Sequence, residues 1–174
     1  NKILFKYGIK SNNRKKKNIQ FIKNNTILFH YKSAIFGEIQ ENYELFRNFF
    51  DQLVDRYDVS IKVSTDIEND KKNKKVIEYL NKGAGINFLG PINAERLLDE
   101  INKTELIISP HGAITCIAAY YDRNIIDIFD RTITKNAFYE FKPYTEGEYQ
   151  FLVKSEDVNK TFLKIISKIN NIYK

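Results

Sequence analysis

The chain has 174 residues, a formal net charge of +6 and a single cysteine. This length suits one well-buried domain, and a lone cysteine excludes an internal disulfide. The sequence shows neither a signal-peptide pattern nor an apolar run long enough to span a bilayer. Methionine is absent, so we interpret the chain as part of a longer protein. The positive charge suits phosphate-bearing ligands, an anionic membrane surface or nucleic acid, and charge alone does not choose among them.

The amino-terminal part of the chain is interpreted separately from the rest. Residues 1–25 are predicted to be a linker or the end of a preceding domain, and residues 26–174 to form one Rossmann-like domain. The lead-in contains a basic run from Arg14 to Lys17. Such a run is typical of a solvated linker. The alternative is a patch that binds an anionic membrane or nucleic acid.

Short apolar segments alternate with amphipathic ones along the domain. Strands are predicted near residues 26–31, 59–63, 86–89, 106–109, 125–129 and 150–153. Helices are predicted from Glu41 to Tyr57, from Asn69 or Asp70 to Leu80, from a cap at Asn93 through Ile101, from Ala113 to Tyr121, and from a cap at Ser155 to Ile169. A long loop or lid is predicted between residues 131 and 149. The alternation predicts an α/β fold with a doubly wound, mostly parallel sheet.

The helix after the first strand carries apolar side chains at spacings of three and four. The stripe consists of Phe46, Phe49, Phe50, Leu53, Val54 and Tyr57. Continuous apolar faces of this kind pack inward, so the aromatic residues are expected in the core. The alternative is an exposed surface on which bases stack.

The stretch from Glu105 to Phe129 is predicted to be a βαβ unit. Three apolar residues, Leu106 to Ile108, form a strand that Pro110 and Gly112 end. The following helix is expected to face the core with Ile114, Ile117, Ala118 and Tyr121. Cys116 in that helix is expected to be a packed thiol. The turn joins the carboxyl end of a strand to the amino end of a helix, where open α/β sheets bind anionic ligands.

This turn is the strongest candidate for a functional site. It consists of His111, Gly112, Ala113, Ile114 and Thr115. Gly112 allows the backbone to approach a phosphate, and the next three N–H groups open the helix. His111 is expected to donate to a phosphate oxygen or a sugar hydroxyl, and Thr115 to add a hydroxyl. The alternative is a turn histidine that the backbone satisfies.

A second group of candidates ends the first predicted strand. Lys32 and Ser33 are expected on the same sheet edge as His111, where they either clamp a phosphate or serve as plain turn residues. His30, inside the strand, is expected to be a satisfied core histidine.

The metal and nucleotide motifs that are easiest to recognise are missing. One cysteine and two histidines are too few for a zinc site, and the dinucleotide glycine pattern and the P-loop are absent. Asp127 and Asp130 lie near the end of a strand without a second pair of metal ligands. Neither a metal nor a cofactor is therefore predicted.

Five segments, in this order, resemble the carboxyl-terminal half of a GT-B glycosyltransferase. They are Phe88–Gly90, Glu95–Leu98, Leu106–Ala113, Ile117–Ala119 and Ile125–Phe129. Their order is similar to that of the lipopolysaccharide heptosyltransferase family, glycosyltransferase family 9, whose pattern Pro110 and Ala118 match. The chain departs from that pattern at His111, Ala113, Cys116 and Asp130, where the family has Asp, Gly, His and Gly. The Pro-His-Gly-Ala string of residues 110–113 is also similar to the motif of glycosyltransferase family 61.

The resemblance implies the donor-binding half of a metal-independent glycosyltransferase. The donor would be a nucleoside-diphosphate sugar, and helix N-termini with basic side chains would stabilise the leaving diphosphate. The other half is expected to supply the catalytic base and the site for a glycan or glycolipid acceptor. The implied process is the synthesis of a bacterial surface polysaccharide or lipopolysaccharide. The implied location is cytoplasmic, with peripheral contact to the inner membrane left open.

Two alternatives remain open at this point. One is another GT-B-shaped transferase, such as a polysaccharide pyruvyl transferase. The other is a basic nucleic-acid-binding α/β module, which is disfavoured. Such a module would depend on residues 14–17 more than on His111, and its binding would weaken steeply with salt.

Overall fold

The computed structural model describes residues 25–37, 43–65, 85–130, 132 and 142–173. The elements are β1 (Thr26–Tyr31), α1 (Ser33–Phe36), α2 (Tyr43–Tyr57), β2 (Ser60–Thr65), β3 (Ile86–Pro91), α3 (Ala94–Lys103), β4 (Leu106–Pro110), α4 (Ala113–Tyr120), β5 (Asn124–Phe129), β6 (Tyr149–Val153) and α5 (Val158–Ile172). All six predicted strands are confirmed. Three predictions lie outside the described residues: the amino-terminal linker with its basic run, the helix near 69–80 and most of the loop at 131–149.

The six strands form one sheet in the order β3-β2-β1-β4-β5-β6, and every neighbouring pair is parallel. The chain first builds outward from β1 to β3 and then returns to the centre with β4. Between β1 and β4 the direction of building reverses, which makes this gap the topological switch point of the sheet. Ligands of open α/β sheets bind outside the carboxyl ends of the strands at such a point.

One face of the sheet is covered by α2 and α5 through a cluster rich in phenylalanine. Phe49 of α2 stacks on Phe162 of α5 with ring centroids 4.2 Å apart, and Phe50 meets Phe29 of β1 edge-on at 5.3 Å. Phe49 and Phe50 are 2% and 0% exposed. The predicted core role of the stripe on α2 is thus confirmed, and these rings offer no exposed stacking surface.

The opposite face is covered by α3 and α4. Its core combines Leu28, Ile107 and Ile125 of the sheet with Ile101 of α3 and Ala118 and Ala119 of α4. Strands buried on both faces explain the near-continuous apolar runs in the sequence. None of the described helices is long and apolar enough to cross a membrane.

The predicted inward face of α4 packs against the core, and two further residues of the helix are buried with it. Its buried residues are Thr115, Ala118 and Ala119, while Ile114, Ile117 and Tyr121 are partly buried at the margin of the core. Cys116 is exposed, so the expectation of a packed thiol is wrong. The small side chains at 118 and 119 let the helix approach the sheet closely, and that contact turns position 116 outward.

The two predicted helix caps have different outcomes. Asn93 caps α3 as expected, because its side chain accepts a hydrogen bond from the N–H of Arg96. The cap of α5 is Asp157, which accepts from the N–H of Asn159, and not Ser155. Ser155 instead donates its backbone N–H to the hydroxyl of Thr161 at 2.9 Å. Both Ser and Asp are good caps, and the start of the helix at Val158 selects the nearer one.

Candidate functional site

The two groups of predicted site residues flank the switch point of the sheet. The strands β1 and β4 pair with Phe29 opposite Ile108. The paired stretch ends there, and each strand continues to its own turn: Lys32 and Ser33 follow β1, and His111 and Gly112 follow β4. Because the two strands are parallel neighbours, both turns lie at the same carboxyl edge of the sheet. Lys32 is exposed and Ser33 is half-buried.

The turn after β1 leads directly into a single helical turn. The carbonyl of Lys32 accepts hydrogen bonds of 3.0 Å from the N–H groups of both Ile35 and Phe36. Phe36 is fully buried and thereby anchors this turn in the core. The side chain of Lys32 is left on the surface, at the edge where an anion would approach.

The turn after β4 depends on Gly112. Its φ of 157° and ψ of −154° define a conformation that is open essentially to glycine alone. A Cβ at this position would meet no other atom within 4 Å. Space for a ligand therefore exists directly over the backbone here. The N–H groups of Ala113, Ile114 and Thr115 follow in the first turn of α4, where a helix has no acceptors of its own for them.

The hydroxyl of Thr115 supports this turn from inside. It donates to the carbonyl oxygen of Gly112 at 2.8 Å and lies 3.3 Å from the backbone nitrogen of Gly112. Thr115 is fully buried. Its hydroxyl holds the Gly112 turn in shape and does not extend to the open edge, which differs from the expected ligand contact.

The ring of His111 is held by a carboxylate. Its Nδ1 lies 2.8 Å from Oδ2 of Asp127 in β5, and the ring stacks on Phe129 with centroids 4.3 Å apart. The backbone N–H of His111 donates to the carbonyl of Ile128 at 2.9 Å. About a fifth of the side chain, 21%, is exposed. The ring is therefore both immobilised and accessible from the edge of the sheet.

Asp127 and Tyr149 belong to this arrangement, although sequence analysis did not assign them to the site. Asp127 is 0% exposed, and the hydroxyl of Tyr149 donates to its Oδ2 at 2.8 Å. Burial raises the pKa of Asp127, against the hydrogen bonds from His111 and Tyr149, which lower it. Burial and the neighbouring carboxyl raise the pKa of Tyr149, so the phenol stays protonated and donates. The signal in the sequence was an acid within the apolar run Ile-Ile-Asp-Ile-Phe.

Asp127 also belongs to a set of buried polar side chains on four neighbouring strands. Ser64 of β2 pairs with His30 of β1, and Ser109 of β4 pairs with Asp127 of β5. His30 is 8% exposed, and its Nδ1 lies 3.0 Å from the hydroxyl of Ser64. The expectation of a satisfied core histidine is thus confirmed.

The described part of the chain lacks a cluster of metal ligands. Within residues 25–37, 43–65, 85–130, 132 and 142–173, no three His, Cys, Asp or Glu side chains come together in a way that could hold a metal ion.

No family model matches the chain, and no curated protein matches it. Solved structures do match in fold. The structure of E. coli heptosyltransferase WaaC with ADP matches with a TM-score of 0.59 and 14% identity, over 83% of this chain and 44% of the neighbour. The UDP-GlcNAc 2-epimerase from Methanocaldococcus jannaschii matches with a TM-score of 0.55 and 15% identity, over 82% and 37%. The S. aureus MnaA–UDP structure matches with a TM-score of 0.53 and 15% identity, over 93% and 41%.

At these identities the likeness is one of fold. The chain spans less than half the length of each of the three neighbours. One of the three is a heptosyltransferase, which agrees with the predicted resemblance at the level of the fold. The likeness of residues 110–113 to glycosyltransferase family 61 stays a prediction. The chain thus has the Rossmann-like, doubly wound α/β fold of GT-B glycosyltransferases, with an all-parallel sheet.

Proposed function

We propose that the chain is the donor-binding half of a metal-independent GT-B glycosyltransferase that uses a nucleoside-diphosphate sugar. One observation carries this proposal: the turns at Lys32–Ser33 and His111–Thr115 flank the switch point of a Rossmann-type sheet. That position is where such sheets bind nucleotides. The neighbouring structures that were solved with ADP and with UDP support a nucleotide as the ligand class.

Each residue of the site has a distinct part in this proposal. The open backbone at Gly112 and the first N–H groups of α4 receive the diphosphate, which the helix dipole also favours. His111 and Lys32 add hydrogen-bond donors on either side of the switch point. Together these groups stabilise the negative charge that develops on the leaving diphosphate, which is the main requirement of such a transfer.

The remaining parts of the reaction are assigned outside the described site. The catalytic base and the acceptor site are proposed to lie in another part of the enzyme, since the chain spans under half of its structural neighbours. A glycan or glycolipid acceptor and a role in surface polysaccharide or lipopolysaccharide synthesis follow the heptosyltransferase likeness. With such an acceptor, the enzyme would work in the cytoplasm and contact the inner membrane peripherally.

The alternatives differ in how the structure bears on them. A GT-B-shaped pyruvyl transferase would use the same fold and remains a second candidate. The nucleic-acid module loses one argument, because Phe49 and Phe50 are buried and present no surface for bases. Its other argument, the basic run at 14–17, lies outside the described residues.

Calorimetric titration of the 174-residue chain with UDP, ADP, GDP and CMP tests the proposal. We expect one nucleoside diphosphate to bind, and His111→Ala to weaken that binding about ten- to a hundred-fold, the usual effect of losing a charge-assisted hydrogen bond. Gly112→Val should weaken it further, because its side chain would fill the open space and strain the backbone. Tyr120→Ala, an exposed change at the far end of α4, is the control and should bind as the wild type does.

Two results would contradict the proposal. The first is the absence of binding by every nucleotide, at millimolar concentration, to a well-folded chain. The second is equal affinity of the wild type and His111→Ala, which would leave the turn a purely structural feature.

A further inference from the structure

Asp127 is an acid in a place where an acid is costly. It lies in the middle of β5, fully buried, among Ile125, Ile126 and Ile128. Burying an ionisable group without compensation is unfavourable by several kcal/mol, on the order of what a whole side chain contributes to a core. The structure compensates one oxygen of Asp127 and leaves the other, Oδ1, buried without a hydrogen-bond partner among the described residues.

Both compensating hydrogen bonds are made to the same oxygen of Asp127, and one of them comes from the imidazole ring of His111. Oδ2 meets Nδ1 of His111 and the hydroxyl of Tyr149, each at 2.8 Å. Tyr149 comes from β6, so three separate segments meet at this oxygen. The phenol can only donate to a carboxylate, and its hydrogen bond is a second contact that holds the carboxyl group in place.

The contact decides which nitrogen of His111 carries a proton. A carboxylate oxygen accepts and does not donate, so Nδ1 is the donor and holds its proton. With the proton on Nδ1, Nε2 is the acceptor of the neutral ring, and it is a donor as well in the imidazolium form. The stacking on Phe129 and the backbone bond to Ile128 fix the direction in which the ring then points.

We propose that Asp127 is a positioning residue, which holds His111 through a proton on Nδ1 and thereby presents Nε2 to the diphosphate of the ligand, where Nε2–H is donated when the ring carries both protons. This inference rests on the proposed function for the identity of the ligand. The position of the proton, in contrast, is a property of the protein alone. Tyr149 acts one step further back, because it holds the carboxyl group that holds the ring.

Further titratable groups near the His111–Asp127 pair lie on α4 and in the segments next to β5 and β6. Cys116 on α4 interacts electrostatically with Tyr149, and the amine of Lys142 lies 5.3 Å from the centre of the Tyr149 ring. Asp130 follows β5 and pairs with Lys154 at 3.3 Å. The carboxylate of Asp127, in contrast, contacts the His111 ring directly at 2.8 Å. A change at Asp127 should therefore act directly on the position of the proton in that ring.

Nitrogen-15 NMR of the histidine rings in the labelled full chain measures the proton position directly. The sequence holds two histidines, so two ring spin systems are expected. His30 is an internal control because its Nδ1 lies 3.0 Å from the hydroxyl of Ser64 and β4 separates its strand from β5. In the neutral ring of wild-type His111 we expect the proton on Nδ1. In Asp127→Ala, with the acceptor removed, it should move to Nε2 while His30 is unchanged. A wild-type ring protonated on Nε2 alone would overturn the inference, because Asp127 would then be the donor.

A double-mutant cycle measured with UDP as the probe tests the link to the ligand. If Asp127 acts through His111, the nearly isosteric change Asp127→Asn should weaken binding about three- to ten-fold, as expected when a hydrogen bond loses its charge assistance. In the His111→Ala background the same change should have no further effect beyond about two-fold. Additive losses in the two backgrounds would overturn the inference.

One variant is the control for both experiments, and failure of the proposed function can be told apart from failure of the inference. Glu100→Gln removes a carboxylate that pairs with Lys62 at 2.6 Å, away from the site, and should change neither the ring spectrum nor the affinity. If the wild type binds no nucleotide, the proposed function fails, and the ring spectrum still decides whether Asp127 sets the proton on His111. If UDP binds and the ring spectrum contradicts expectation, the function stands and the inference fails.

Discussion

Phe50 shows how much of the fold rests on single aromatic side chains. It is fully buried, and its ring centre lies 5.3 Å from Phe29, 5.4 Å from Phe49 and 6.2 Å from Phe46. Aromatic pairs at these separations add to the free energy gained by burial alone. A ring in such surroundings cannot be removed without leaving a cavity, since the neighbours are held by further rings.

Phe50→Ala should therefore lower the free energy of unfolding by about 3–5 kcal/mol. The matched change Phe151→Ala removes the same atoms from a side chain that is 40% exposed, and it should cost well under half as much. Urea unfolding of both variants, followed by circular dichroism, gives the comparison. Equal losses would mean that the packing between α2 and the sheet contributes less than its geometry implies.

Residues of the site differ in how far the sequence revealed them. The turn from His111 to Thr115 was predictable, because a proline and a glycine between a strand and a helix announce a turn at a sheet edge. Asp127 and Tyr149 were not assigned, because their contact with His111 depends on the register of β5 with β4 and β6. Alternation of apolar and polar residues normally specifies register, but strands buried on both faces are apolar throughout and lack that alternation.

At the scale of elements, periodicity predicted where α4 lies and most of the face that it buries. The helix was predicted within one residue at its end, and the predicted residues Ile114, Ile117, Ala118 and Tyr121 all pack against the core. Periodicity did not reveal that Thr115 and Ala119 are buried as well, or that Cys116 is exposed. The helix is short and mostly apolar, so contact with the sheet selected the buried side chains. Helix α2 carries a single broad aromatic stripe, and its buried face was therefore predicted correctly.

The segment that precedes β6 is held to the start of β5 by hydrogen bonds that its backbone N–H groups donate. The side chains of Asp122 and Asn124 accept hydrogen bonds of 3.0 Å from the N–H groups of Glu146 and Glu148. Gly147 lies between them, where a Cβ would be 2.5 Å from the carbonyl oxygen of Arg123. No side chain fits at this approach of two backbones.

Gly147→Ala should lower the free energy of unfolding by roughly 1–3 kcal/mol, the usual cost of overpacking. It should also loosen β6, which carries Tyr149. The neighbouring change Glu146→Ala leaves the backbone hydrogen bond to Asp122 in place and should have little effect. Thermal unfolding of both variants provides the measurement. If Gly147→Ala is as stable as the wild type, the two backbones are not in the close contact described.

At the scale of the whole molecule, the order of the strands creates the site. The sequence predicted parallel strands and therefore a shared carboxyl edge, which placed Lys32 and His111 on the same side of the molecule. It did not reveal that β1 and β4 are neighbours, because strand order follows from how helices pack on both faces and has no local signature. Because β1 and β4 are neighbours, the turns that follow them flank the same switch point.

The central claim is that a nucleoside diphosphate binds at this switch point. Mapping amide chemical shifts of the labelled chain during titration with UDP, or with whichever nucleotide binds in the calorimetric series, tests it most directly and works at millimolar affinity. The account predicts that the largest shifts occur at Lys32, Ser33 and the run from His111 to Thr115. Shifts concentrated in the basic run at 14–17, or in the surface groove between α2 and α5 around Gln52 and Ile166, would contradict it.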